Sequence, residues 1–260
     1  MIGVDFGFGA VEQELWRLLF VMTRIGAALL AAPFFGAASV PVQLRIAIAG
    51  AVAVLVCAWS PVQTPEALLS LQGMLIVAGE VLVGLALGFI LQILFAAPVI
   101  AAEVVSGTMG LSMAVSNDPA TGERSTALGQ YFTIVLVLIF LSLGAHLQFI
   151  SLVVESYRVF PPGETWLGAE RMNHVVEFGG KMFTLAVGIA LPVVMILLLV
   201  QFVTGVLSRS APSLNLFALG LPAGVLAGIA ALIAAAPFLF EQLIDLSELA
   251  VTDSASLLIP

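Results

Sequence analysis

Six stretches of this chain run for twenty or more residues without Asp, Glu, Lys or Arg: 25–44, 46–65, 81–102, 125–154, 182–208 and 210–240. About 18 consecutive apolar residues already suffice to suggest a helix that crosses a bilayer. The small and polar residues between the runs mark the helix ends. A first helix is predicted over roughly 16–33, followed by a small-residue linker at 34–40. Pro41 opens a second helix that ends near Trp59. Pro61 and Pro65 make 60–64 a turn, because proline has no N–H to donate and constrains its predecessor. A third helix is predicted from Glu66, with Thr64 as cap, Pro65 at the first helical position and Glu66 at the positive end of the dipole. It reaches about Pro98 and can continue past it with a kink. Residues 106–126, SGTMGLSMAVSNDPATGERST, interrupt the apolar pattern. A fourth helix is predicted over 127–158, ended by Pro161-Pro162-Gly163. A short amphipathic segment at 168–180 leads into a fifth helix at 181–207. A sixth covers 215–241, and the tail 241–260 reads as acidic and polar.

Two of these runs are longer than a simple span needs. Thirty helical residues reach about 45 Å, against a hydrocarbon core of about 30 Å. Tilt absorbs part of the excess. Pro98, Pro192, Pro222 and Pro237 break the runs, and each frees a carbonyl that lipid cannot satisfy. Neighbouring protein or trapped water must do so, and this hints that apolar surface meets other subunits. Glycine points the same way. Gly84 and Gly88 form one G-x-x-x-G, and Gly220, Gly224 and Gly228 form a doubled one. Membrane helices pack through small residues, since lipid gives apolar side chains no preference for each other. The pattern predicts close helix contact and leaves open whether the partner is internal or another chain.

Composition supports a membrane setting: 61% hydrophobic and 9% charged residues, with 24 Gly and 13 Pro, and a mean hydropathy of +1.18. The net charge of −8 argues against nucleic acid as a partner, which calls for a basic face. Cys57 stands alone, so no internal disulfide can form, and it reads as a small buried hydrophobe. Asp5, Glu12 and Glu14 precede the first apolar run where a cleavable signal would be basic. The first helix is therefore expected to remain. Counting positive charges does not set orientation, because Arg45, Arg124 and Arg209 nearly balance Arg17, Arg158, Arg171 and Lys181 across six spans.

Charges in apolar surroundings are costly, about 2.5–3.5 kcal/mol at mid-helix on insertion scales. Arg24, Arg45, Glu80 and Glu103 are the candidates, and such residues face protein or water and find partners. One reading is a proton or ion relay. The other is a buried ion pair or subunit contact, favoured because a relay needs several acids or histidines in series. If Arg24 and Glu80 pair, exchanging them should restore what either single change loses. His146 is expected as a hydrogen bonder inside a helix and His174 as a surface residue. There is no phosphate-binding glycine loop with Lys, no H-E-x-x-H and no Cys/His cluster. Neither histidine is near Ser106, Ser112, Ser116 or Ser125 in sequence. No enzyme, metal or cofactor is expected.

The interruption at 106–126 is the best functional candidate. Met109, Gly110, Leu111, Ser112 and Met113 combine small residues with flexible methionines that can seal gaps. Ser116-Asn117-Asp118-Pro119 then makes a turn. Non-helical backbone at membrane depth is tolerated only where protein buries it or it lines a water cavity. An exposed loop between two spans is the alternative.

Four blocks carry a family resemblance. They are Arg24-Ile25-Gly26-Ala27 through Pro33-Phe34 with Pro41 and Arg45; Gly79-Glu80 with Gly84 and Gly88-Phe89; Met113 through Asp118-Pro119 with Gly129, Phe140 and GAHLQFISLVVESYRVFPPG; and Ala190-Leu191-Pro192 with RSAPSLNLF and Gly220-Leu221-Pro222. Spread over about 15–228, they resemble the FliR family, the R subunits of the flagellar protein export gate, with a similar injectisome counterpart. His146 and the Phe160-Pro161-Pro162-Gly163 ending favour the flagellar branch. The R-x-A-P-x-L-N-x-F block at 209–217 is the most specific, and 1–12 and 242–260 carry nothing transferable.

The resemblance implies a non-enzymatic, all-α polytopic membrane protein of long, kinked helical hairpins in a hetero-oligomeric helical assembly. Its implied partners are P and Q subunits, the B subunit and unfolded export substrates. Its implied location is the bacterial inner membrane at the flagellar basal body. It implies a P-like part at 1–180 and a Q-like helical hairpin at 181–260. A pore plug is implied at about 106–124, carried by Met109, Gly110, Leu111, Met113, Ser116, Asn117, Asp118 and Pro119. Arg24, Arg45, Glu80 and Glu103 remain candidates for buried charge and packing, and Gly84, Gly88, Pro192, Asn215, Gly220, Pro222, Gly224 and Gly228 for subunit packing. A stand-alone secondary transporter using Glu80 and Glu103 is the alternative, though no convincing internal repeat supports it. An assembly scaffold with no pore role is a third.

Overall fold

The computed structural model describes residues 10–37, 40–60, 62, 64–65, 70–111, 116–117, 124–163, 169–210 and 216–256. Seven helices carry the described residues: α1 (Ala10–Ala31), α2 (Val42–Trp59), α3 (Leu71–Met109), α4 (Ala127–Ser142), α5 (Ala145–Val159), α6 (Ala169–Ser210) and α7 (Leu216–Ser256). A two-residue antiparallel pairing, β1 (Ser116–Asn117) with β2 (Arg124–Ser125), lies between α3 and α4. Four helices are long and apolar enough to cross a membrane, and a fifth span results if α4 and α5 count as one broken crossing. The sequence predicts six. The first of these, α1, carries Glu12, Glu14, Arg17 and Arg24 among its 22 residues and is too charged for the tally.

Helix lengths depart from expectation at five places. The start of α3 is set by Ser70, whose Oγ accepts from the Gly73 N–H at 3.0 Å; Thr64 lies outside the helix. Pro98 lies inside α3, which continues eleven residues further to Met109. The predicted fourth helix is two, broken where Gly144 adopts a positive φ of 69°. The amphipathic 168–180 segment and the fifth helix are one continuous α6 of 42 residues. The tail is helical to Ser256, because Leu243, Leu246 and Ala250 extend a buried stripe at helical spacing. At 39 to 42 residues, α3, α6 and α7 are each about 60 Å long, roughly twice the hydrocarbon core.

The chain divides into two compact units that interleave along the sequence: residues 1–93, 144–178 and 249–260 in one, and 94–143 and 179–248 in the other. The seam at 178/179 falls close to the 180/181 boundary the resemblance implies; the other seams have no sequence counterpart.

In the first unit, α1 and α2 run antiparallel. Arg17 Nη2 donates to the carbonyls of Cys57 at 3.0 Å and Ser60 at 2.7 Å, capping the end of α2, while Met22 approaches Gly50. The first half of α3 runs parallel to α1, and two glycines explain how close. A Cβ at Gly84 would strike the Arg24 carbonyl and lie 2.9 Å from Ala27 Cβ; one at Gly88 would strike the Ala28 carbonyl and lie 2.7 Å from Ala31 Cβ. The partner of this G-x-x-x-G is thus α1 of the same chain.

In the second unit, α3 contributes Ala97, Ala101, Val105 and Met109 to one buried core, a row at four-residue spacing. It meets Phe132 of α4, Ala186, Ile189, Val193 and Leu197 of α6, and Ala231 and Leu239 of α7. Phe95 and Phe140 meet edge to face at 5.2 Å. Thr204 of α6 lies 3.8 Å from the position a Gly220 Cβ would take, so α6 and α7 pack together as a pair. Large apolar side chains on its outer faces, among them Leu199, Phe202, Val203, Leu226 and Ile233, are exposed.

Candidate functional site

The interruption of the apolar pattern begins where α3 ends. Met109 is the last helical residue and is 3% exposed. Gly110 turns the chain with a positive φ of 84°, a conformation that favours glycine, and its N–H donates to the Gly107 carbonyl at 3.1 Å. Leu111 packs at the edge of the second unit's core. Ser116 and Asn117 then pair with Ser125 and Arg124. Met113, Asp118 and Pro119 lie outside the described residues.

Both ends of this segment are fixed. At its start, Met109 fills a notch in α7 that exists because two positions lack side chains. A Cβ at Gly228 would lie 2.5 Å from Met109 Cγ and Cε and 2.6 Å from Sδ. A Cβ at Gly224 would lie 3.2 Å from the Met109 carbonyl oxygen. One residue earlier, Gln201 Nε2 of α6 donates to the Thr108 carbonyl at 2.7 Å. The Gly220, Gly224 and Gly228 series therefore meets parts of its own chain, with α6 near Gly220 and the end of α3 at the other two.

At its close, Thr126 caps α4. Its Oγ1 accepts from the Gly129 N–H at 3.1 Å, and its own N–H donates to Glu103 Oε1 at 2.9 Å. Ser106 Oγ lies 3.2 Å from Thr126 Oγ1. Glu103 is thus a carboxylate that ties the returning chain to α3, the helix the segment left. Its partner is a backbone N–H rather than another acid or a histidine.

Arg24 and Glu80 form a separate constellation in the first unit. Arg24 is 1% and Glu80 3% exposed. Nε donates to Glu80 Oε2 at 2.8 Å and Nη2 to Oε1 at 2.9 Å, a bidentate pair. Nη1 donates to the carbonyl and the hydroxyl of Ser156 at 2.8 and 3.1 Å, and Nη2 also to the Phe160 carbonyl at 2.9 Å. All five guanidinium N–H groups are therefore used. The cation sits 4.2 Å from the centre of the Tyr157 ring, and the Tyr157 hydroxyl donates to the Val21 carbonyl at 2.6 Å. One guanidinium thus joins α1, α3 and the end of α5. Ser156 and Tyr157 carry half of this contact set. In the sequence they stand out only as part of a family block, because a Ser or Tyr within an apolar helix has many satisfactory roles.

The remaining candidates lie elsewhere. Arg45 donates to the carbonyls of Gly36 and Ala37 in the linker after α1, and its Nε is buried without a partner. His146 falls on the first turn of α5 with Nδ1 buried and without a hydrogen-bond partner, against the expected hydrogen bonder. The His174 side chain and Asn215 lie outside the described residues. Pro192 and Pro222 lie inside α6 and α7. Cys57 is free and half-buried. Among the described residues no three His, Cys, Asp or Glu come together as metal ligands would.

Residues 15–250 match the family model described as bacterial export proteins, family 1. The chain is 30% identical to the flagellar biosynthetic protein FliR of Escherichia coli (strain K12), over 86% of this chain and 84% of that one. It is 31% identical to the flagellar biosynthetic protein FliR of Bacillus subtilis (strain 168), over 92% and 93%. The similarity to the Aquifex aeolicus protein of the same name is 29%, over 88% of each chain.

Proposed function

We propose, because this chain belongs to the bacterial export proteins, family 1, that it closes the conduit of a flagellar export gate with the segment between Met109 and Thr126. The chain is a subunit of the flagellar export apparatus, a membrane-embedded structural and transport component. The finer reading makes it a non-enzymatic core subunit that assembles with P and Q subunits, contacts the B subunit and passes unfolded export substrates. It would do so in the bacterial inner membrane at the basal body, with 1–180 as the P-like part and 181–260 as the Q-like hairpin.

The observation that carries the closing role is the anchoring of both ends of the segment in one core. Met109 seats in α7 and Thr126 is tied back to Glu103. Chain leaving and re-entering a membrane-embedded core at two fixed points is placed to obstruct a path, and non-helical backbone is tolerated at such depth only inside protein or beside water. Helices of roughly twice the bilayer's apolar thickness, with exposed apolar faces and internal prolines, support burial against sister subunits. Nothing supports the secondary transporter. Glu80 is held by Arg24 and Glu103 by a backbone N–H, so each carboxylate has a structural partner.

Deleting Gly110–Ser116 in cells that carry the rest of the gate should raise small-ion leakage through it. A membrane that stays tight with the deleted subunit assembled would remove the closing role.

A further inference from the structure

We propose that the outer face of α6 receives an apolar helix of another export-gate subunit, and that this helix donates a side-chain hydrogen bond to the Gly188 carbonyl. The proposal rests on the export-gate reading above. It starts from Pro192, which lies inside α6. Proline has no N–H to give to the carbonyl four residues earlier. That carbonyl belongs to Gly188, on the exposed face of the helix. Gly188 has no side chain to shield it, and a Cβ there would meet nothing within 4 Å. Pro98 and Pro237 free the carbonyls of Leu94 and Ile233 in the same way, but each of those sits beside a branched side chain. At Gly188 a neighbour can come right up to the backbone. In a membrane an acceptor left like this is costly until a donor reaches it, and acyl chains have none to offer.

The surface around Gly188 has the pattern that takes a second helix. Thr184, Gly188, Leu191, Met195, Leu198 and Phe202 recur at alternating steps of four and three residues, the spacing of a helix–helix seam. All six are exposed, the four large apolar ones by 49–71%. The seam lies opposite Ala186, Ile189, Val193 and Leu197, which bind α6 into its own core. It is about 27 Å long, so one helix of ordinary membrane-spanning length covers it. The occupant is a different subunit rather than a second copy of this chain. A second copy on the same seam would bring two freed carbonyls together without a donor for either. The seam's hydroxyl, Thr184 Oγ1, already donates to the Gly180 carbonyl at 3.5 Å, and the nearby Gln201 amide is engaged by the Thr108 carbonyl. The partner helix therefore brings its own Ser, Thr, Asn or Gln, set among small residues that allow close approach.

A photo-reactive amino acid in place of Leu191, in the assembled gate, identifies the occupant. It should cross-link to another export subunit, on an apolar helical segment with a Ser, Thr, Asn or Gln within two turns of the adduct. Adducts to lipid alone, to a second copy of this chain, or to a segment without such a donor overturn the proposal. Pro192→Ala then separates the hydrogen bond from mere fit of shape. It gives the Gly188 carbonyl an N–H from its own helix, so the isolated chain should melt no lower than the parent. The partner's donor is left buried and unpaired, and the other subunits should bind this chain roughly tenfold more weakly. Assembly as tight as before overturns the proposal. An unaltered chain that recovers no export subunits from the membrane counts against the export-gate reading. One that recovers them but cross-links elsewhere counts against this seam alone.

Discussion

Glu80→Leu and Arg24→Met, made singly and together, should show strong coupling. Each single change leaves one fully buried charge without its counter-ion. Breaking a buried pair in this way costs about 3–5 kcal/mol, a large share of a typical stability of about 5–15 kcal/mol. With both changed, no charge is left buried. The residual cost is chiefly the lost guanidinium bond to the Phe160 carbonyl, at about 1–3 kcal/mol; the Ser156 hydroxyl still donates to the Val153 carbonyl at 2.6 Å. The Ser156 carbonyl keeps the Phe160 N–H at 2.9 Å. The double variant should therefore cost no more than either single one, with a coupling energy of about 3 kcal/mol. Heat-induced loss of the detergent-solubilised assembly, followed by tryptophan fluorescence and by subunit abundance in the membrane, measures this. Additive losses in the double variant would refute a coupled pair. Arg24 and Glu80 do pair, but the neighbours of Arg24 argue against the simpler expectation that exchanging the two restores stability. A carboxylate at 24 would face the Ser156 and Phe160 carbonyls, so the exchanged chain should remain as impaired as either single variant.

Three further predictions follow from the packing. Gly84→Ala should separate α1 from α3, because its methyl meets the Arg24 carbonyl and Ala27 Cβ; we expect a loss of at least ~1–3 kcal/mol. Gly79→Ala, one turn earlier with nothing within 4 Å, should be stabilising by about 0.5–1 kcal/mol through helix propensity, and equal melting of the two would contradict the packing. Thr126→Ala should cost ~1 kcal/mol through the lost α4 cap and raise ion leakage. Glu103→Gln, which keeps an oxygen for the Thr126 N–H, should leak less than Glu103→Ala; the reverse order would argue that the charge, not the tether, matters.

Apolar patterning made most helices legible, because a run without charge has few alternatives to a buried or lipid-facing helix. What it missed was governed by single residues or by distant partners. The break between α4 and α5 depends on Gly144 entering the left-handed region, and one glycine among 24 gives no advance sign of that. The continuity of α6 through Gly179-Gly180 and of α7 past Glu241 is the opposite case, in which polar composition suggests an end but tertiary packing sustains the helix. Arg24 and Glu80 were legible as costly charges, yet their carbonyl partners at Ser156 and Phe160 lie over 130 residues from Arg24 in sequence. The glycine pairs were legible as close contacts. Only the fold shows that Gly84 and Gly88 receive α1, and Gly224 and Gly228 the end of α3.

The exposed apolar faces of α2, α6 and α7 should be covered by other subunits of an export gate. Native mass measurement of the gently solubilised complex, with every component sequenced, tests it most directly. A particle holding this chain together with several copies of P-type and Q-type export subunits is the predicted result. A stable 27.1 kDa species that carries a solute across vesicles by itself would contradict it.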